Sequence, residues 1–142
     1  MQVQEIMTRG AEVIDPNNTI RDAAKKMRAD NIGALPVGEN DRLIGMVTDR
    51  DIVVRAVAEN RSAANTAVRD VISEHIYYCF DDDDVEDAAR KMAEHQVRRL
   101  PVLNRDKRLV GVLALADLGR SGATAAQMAL GGVSQPTDRP RR

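Results

Sequence analysis

Tryptophan is absent, and the 142 residues include only one phenylalanine, two tyrosines and one cysteine. The single cysteine, Cys79, excludes an intrachain disulfide and agrees with a reducing, cytoplasmic setting. Charge of neither sign dominates. Twenty-one Lys and Arg against 22 Asp and Glu leave a formal net charge of −1, so no global field recruits nucleic acid or an anionic membrane. No apolar run is long enough to span a bilayer. Met1–Glu5 lacks the basic and apolar regions of a signal peptide. No nucleophile stands with a base, and no paired acids or metal-ligand set has a recognisable spacing, so the pattern is not that of an enzyme. What is present is 43% hydrophobic and 30% charged residues. That is the balance of a soluble globular protein, one compact domain or two very small ones.

The stretch Leu43–Asp51 carries the first chemical signal. A short apolar run ends in Thr48, and three residues later Asp51 opens a helical pattern that continues to Val57. The Thr48 hydroxyl and the free N–H groups of the turn can meet an anion. Asp51 repels phosphate but accepts from vicinal hydroxyls such as those of a ribose. The simpler alternative is that Thr48 or Asp51 only caps the helix.

The stretch occurs twice. Leu109–Leu118 repeats it with an offset of 66, Ile20–Met27 returns as Val85–Met92 with an offset of 65, and Leu35-Pro36-Val37 returns as Leu100-Pro101-Val102. The change of offset puts a one-residue insertion in the second hairpin loop. Val3, Ile6 and Met7 form one helical face ahead of the first copy, and Val68, Val71 and Ile72 repeat it. Two copies of a unit this small are expected to pack on each other.

This ordered set resembles a tandem pair of CBS domains, a Bateman module, from about Val3 to Gly119. The resemblance implies an α+β fold of two repeats, each β-α-β-β-α, packed sheet to sheet about a pseudo-two-fold axis. It also implies a sensor of adenosine nucleotides that is dimeric and not catalytic. The repeats run over 1–65 and 66–120, with a linker at 60–65. A tail at 121–142 is read as a short helix or as disordered. In the first copy, Ala11–Ile14 reads as a strand, Thr19 and Asp22 as a helix start, and Ile20, Ala23, Ala24 and Met27 as the buried face. Pro36 marks a strand with an unpaired side. Ile52, Val53, Val54, Ala56 and Val57 make the second helix apolar on more than one face, which motivates a homodimer.

The second copy departs from the first in three places. All three aromatics fall in one predicted strand, His75–Phe80, where strand packing and a wall for the adenine base are equal alternatives. Asp81–Asp84 invites a metal, but with His75, Cys79 and His95 it matches no zinc or calcium pattern. Asp84 reads as a helix cap and no metal is expected. Arg98 and Arg99 replace Gly33 and Ala34. One alternative is that one of them points to solvent and the other pairs with the acidic run. The resemblance implies that they reach the phosphate of the nucleotide held by the other copy.

The ligand set that the resemblance implies is Thr48, Asp51, Arg98, Arg99 and Arg50, with Met46, Ile76, Tyr77 and Val97 around the base. A weaker second site is centred on Asp117 with Ile14 and Ile32, where Ala114 replaces the threonine. The implied ligand is AMP, or ATP, ADP or a related adenosyl compound, with no required cofactor. The implied partner is a separate effector protein, with neither membrane nor nucleic acid. The alternative function is a structural dimerisation protein with a vestigial pocket.

Overall fold

The computed structural model describes residues 1–10, 13–73 and 76–119. Two helices, α1 (Ile20–Asp30) and α3 (Val85–His95), start and stop as their sequences dictate. Thr19 Oγ1 accepts the Asp22 N–H at 3.2 Å, and Asp22 Oδ2 accepts the Thr19 N–H at 3.3 Å. Asp84 Oδ1 accepts the Glu86 N–H at 3.0 Å. Both helices end on a residue in the left-handed region, Asn31 (φ 53°) and Gln96 (φ 54°). The N–H of the next residue, Ile32 or Val97, donates back to Met27 or Met92. α1 buries Ile20, Ala23 and Met27, whereas Ala24, expected to face inward, is exposed. It lies at the margin of the apolar stripe. Its counterpart Ala89 is buried, because α3 buries Val85, Ala88, Ala89 and Met92.

Each helix is followed by a hairpin. β2 (Ala34–Glu39) pairs with β3 (Arg42–Thr48), turning through Asn40 (φ 55°) and Asp41 (φ 65°). Two consecutive positive φ angles suit the right-handed twist of a tight hairpin. β5 (Arg99–Leu103) pairs with β6 (Leu109–Ala114). Its longer turn is held by Asn104 Oδ1, which accepts the N–H of Asp106 and of Arg108. The inserted residue is absorbed there. The Pro36 carbonyl faces Ile14, whose N–H donates to it at 3.0 Å. The missing Pro36 N–H therefore costs β3 no ladder bond.

A second helix leaves each hairpin, α2 (Asp49–Ile52) and α4 (Leu115–Leu118). α2 starts two residues before the expected Asp51, because Thr48 is its cap. It continues as a π-helix over Val53–Val57, with the Ala58 N–H donating to the Val53 carbonyl. Val53, Val54 and Val57 are exposed there, while Ala56 is buried. None of the described helices is long and apolar enough to cross a membrane.

The first strands are shorter than expected. Ile14 makes a single parallel bridge to Val37, and Ala11 and Glu12 lie outside the described residues. Of the strand expected over His75–Phe80, only Cys79–Phe80 (β4) is strand among the described residues, paired parallel to β5. Ile76, Tyr77 and Tyr78 are not in a strand, and Glu74 and His75 lie outside the described residues, as does the tail from Arg120 on. The strand propensity of the tyrosines is not realised, because only Cys79 and Phe80 find partners on β5, Val102 and Leu103.

Packing divides the chain into two units. One joins Met1–Ala11 to the chain from Tyr77 onward, and the other spans Glu12–Ile76. The segment before each copy therefore belongs to the unit of the other copy. In the first unit, Val3 and Met7 share a core with Cys79, Met92, Leu100 and Leu113. Val85 N donates to Met1 O, and β1 (Thr8–Arg9) pairs with β6, giving the order β1-β6-β5-β4. In the second unit, Val68 and Val71 share a core with Ile14, Ile20, Leu35 and Val47. Ile20 N donates to Thr66 O, and Ser73 bridges Met46.

The glycine inside each repeated stretch marks this crossing. A Cβ on Gly111 would lie 2.7 Å from Thr8 O, and one on Gly45 would lie 3.1 Å from Ser73 O. At Gly111 a side chain would clash with the passing backbone, and at Gly45 it would press on it.

Candidate ligand site at the strand-to-helix turns

In the unit spanning Glu12–Ile76, the turn between β3 and α2 is a reciprocal cap. Thr48 Oγ1 accepts the Asp51 N–H at 3.0 Å, and Asp51 Oδ2 accepts the Thr48 N–H at 3.0 Å. Thr48 and Asp51 are buried, at 5% and 2% exposure. The capping role weighed as the simpler reading is therefore real.

The expectation of free N–H groups at this turn is corrected. Asp49 N donates to Gly33 O at 2.9 Å, Arg50 N to Asp49 Oδ1 at 2.8 Å, and Asp51 N to Thr48. The fold uses all three itself.

The cap does not exhaust the chemistry. The Thr48 hydroxyl accepts a hydrogen bond, so its own proton remains for an external acceptor. Asp51 Oδ1 makes no hydrogen bond to the described residues. No buried side-chain oxygen or nitrogen among them lacks a partner, so Oδ1 lies where solvent or a ligand hydroxyl reaches it. Around this turn, Met46 is half-buried in β3 and Arg50 is exposed. Ile14 is fully buried and Ile32 packs against the same core, so both are structural residues of this unit.

In the other unit, the turn between β6 and α4 keeps only half of the cap. Asp117, 3% exposed, accepts the Ala114 N–H on Oδ2 at 2.8 Å. Ala114 has no side-chain oxygen to accept the Asp117 N–H in return. Arg99 opens β5 opposite Ala114 and is half-buried, and Arg98 is exposed. Neither forms an ion pair among the described residues. The alternative that one of them pairs with the acidic run is corrected, because Arg105 does so. Its guanidinium meets Asp82 at 2.6–2.9 Å and lies 4.2 Å over the Phe80 ring. That bond holds the Asp82 carboxyl below the usual carboxylate range.

Asp83 Oδ2 accepts the Phe80 N–H and Asp84 caps α3, so the acidic run is a fastened turn. Among the described residues, no three His, Cys, Asp or Glu side chains gather as for a metal. Val97 packs on the core, and one face of the Tyr77 ring is covered by His95 at a centroid distance of 3.7 Å. Cys79 is buried, and burial first, then the Asp83 charge, push its thiol up to about 12, against the opposing pull of Lys91. A thiol held neutral in a core is not a nucleophile.

Asp49 was absent from the expected set. Its carboxylate lies so close to Gly33 that an added Cβ would be 2.9 Å from Oδ2. The signal for it was the contrast with Leu115 at the equivalent position of the second copy.

The CBS domain family model matches residues 3–57 and 68–121. The chain belongs to the CBS domain family. The CBS domain-containing protein YhcV of Bacillus subtilis is 42% identical over 116 residues, covering 82% of this chain and 81% of YhcV. Hypoxic response protein 1 of Mycobacterium tuberculosis is 38% identical over 118 residues, 82% of each chain. A crystal structure of Hypoxic Response Protein I with two coordinated zinc ions matches at a TM-score of 0.78 and 36% identity, covering 87% of this chain and all of that one. The structure of CBSX2 in complex with AMP matches at a TM-score of 0.73 and 27% identity, covering 84% of this chain and 94% of that one. CBSX2 is a CBS-pair protein of Arabidopsis thaliana.

Proposed function

We propose that the chain is a regulatory module that binds an adenosine nucleotide, AMP before ATP or ADP, and signals to a separate protein rather than catalysing a reaction. The observation that carries this reading is Asp51, a buried carboxylate with one oxygen fixed by the Thr48 N–H and the other open. Such a group is preorganised to accept from two sugar hydroxyls. The Thr48 proton and the Arg98 and Arg99 guanidinium groups supply donors for one phosphate. Met46, Ile76, Tyr77 and Val97 border the base in this reading, and Arg50 belongs to the same ligand set. The AMP complex of CBSX2 supports the ligand class. Asp117, with Ala114 where the first copy has Thr48, centres a second site in this reading that is weaker for phosphates.

Calorimetry on the full chain tests this. One AMP per chain is expected, bound at least about tenfold more tightly than adenosine, since a charge-assisted hydrogen bond contributes roughly 1.5–3 kcal/mol. Equal affinities would remove the phosphate contacts. No binding of either compound would favour the alternative, an interaction protein with a vestigial pocket.

We also propose a homodimer in the cytoplasm that covers Val53, Val54 and Val57, which are 56%, 45% and 65% exposed. Light scattering at micromolar concentration is expected to give twice the chain mass; a monomer would remove it.

A further inference from the structure

Within each copy, the first residue of the second helix is bonded to a residue just before the hairpin. Asp49 N donates to Gly33 O at 2.9 Å, and Leu115 N donates to Arg98 O at 2.9 Å. Ala34 faces Thr48 in register, as Arg99 faces Ala114. These hydrogen bonds and registers pair the same four positions in both copies, and the chemistry at them is inverted. Copy one sets the small Gly33 and Ala34 beside a hydroxyl and a carboxylate. Copy two sets two arginines beside Ala114 and Leu115. Copy one also shows how near a carboxylate at this position comes: Asp49 Oδ2 lies 2.9 Å from where a Gly33 Cβ would be, so beside a side chain at that position it would turn away from the Cβ and along the stem. Copy two has no carboxylate there. It has Leu115, half-buried against the core of its unit.

We propose that Leu115 is a specificity-determining residue: standing where copy one has Asp49, it leaves Arg98 without a carboxylate neighbour and so available to a ligand phosphate. This rests on the reading that the two arginines serve the phosphate. An acid at 115 would hold the guanidinium in a local charge-assisted pair. The cation would then be neutralised and its donor fork partly used before any ligand arrived. Leu115 touches no ligand in this account. It acts through Arg98, so its signature is a change in selectivity rather than a general loss of binding.

The experiment is calorimetric titration of the full-length wild type, Leu115→Asp and Leu115→Asn with AMP and with adenosine. Leu115→Asp is expected to shrink the preference for AMP by about tenfold or more while adenosine affinity stays unchanged, as one charge-assisted contact is worth that factor. Leu115→Asn removes the same apolar contact without adding charge and is expected to keep the wild-type preference. Leu115→Glu, with a longer apolar stem, replaces the aspartate variant if that one does not fold. Acidic variants with the same preference as Leu115→Asn would overturn the role of Leu115 and leave the arginine reading standing. A wild type with no preference for AMP would instead remove both.

Discussion

Replacing Val3 with aspartate is expected to unfold the unit built on the second repeat, although residue 3 lies at the start of the first. Val3 is fully buried in a core with Cys79, Ala88, Met92, Leu100, Leu113 and Leu118. Its segment closes that core from one side, and Val3 N donates to Asp83 O at 2.9 Å. A lone carboxylate there costs several kcal/mol, a large part of the roughly 5–15 kcal/mol that holds a domain together. Val3→Ala removes less, about 1.5–3 kcal/mol. The measurement is near-ultraviolet circular dichroism during urea unfolding. Both tyrosines, Tyr77 and Tyr78, lie in the unit that contains Val3, and the other unit has no aromatic residue. The tyrosine signal is therefore expected to be lost in Val3→Asp at urea concentrations where the wild type keeps it. An unchanged midpoint would contradict the exchanged packing.

That exchange was not legible in the repeat pattern, for a physical reason. Val3 and Met7 match Val68 and Ile72 at a fixed offset, so a lead-in packed on its own copy and one packed on the other produce the same sequence. The elements themselves were legible. The apolar spacing and the Thr19–Asp22 box marked α1, and Asp84 marked α3. The glycines at 45 and 111 were visible as part of a motif, but their cause, the close passage of Ser73 and Thr8, needs the tertiary structure.

At the candidate site, Thr48 and Asp51 were legible because a hydroxyl and an acid three residues apart mean a cap whatever else they do. The use of the turn's N–H groups was not. It depends on Gly33 O, which reaches the turn from 16 residues earlier. Asp49 was missed for the same reason: its role is defined by its distance to Gly33 and by its absence from the second copy.

Asp51→Ala carries the second large effect. It removes the open oxygen that accepts from the sugar, so AMP and adenosine are expected to weaken alike, each by about 1–3 kcal/mol. It also removes the acceptor for the Thr48 N–H, so helix α2 loses about 1 kcal/mol of capping. Asp51→Asn can keep that cap through its amide oxygen and separates the two losses. Arg99→Ala leaves the sugar contacts and the cap in place, so it is expected to weaken AMP far more than adenosine, by an amount that shrinks as salt rises.

The most direct measurement is therefore the ratio of AMP to adenosine affinity, titrated calorimetrically in wild type, Asp51→Ala and Arg99→Ala at low and high salt. The ratio is expected to be unchanged by Asp51→Ala and to collapse toward unity in Arg99→Ala. A ratio left intact by Arg99→Ala would mean that the arginine does not meet the phosphate.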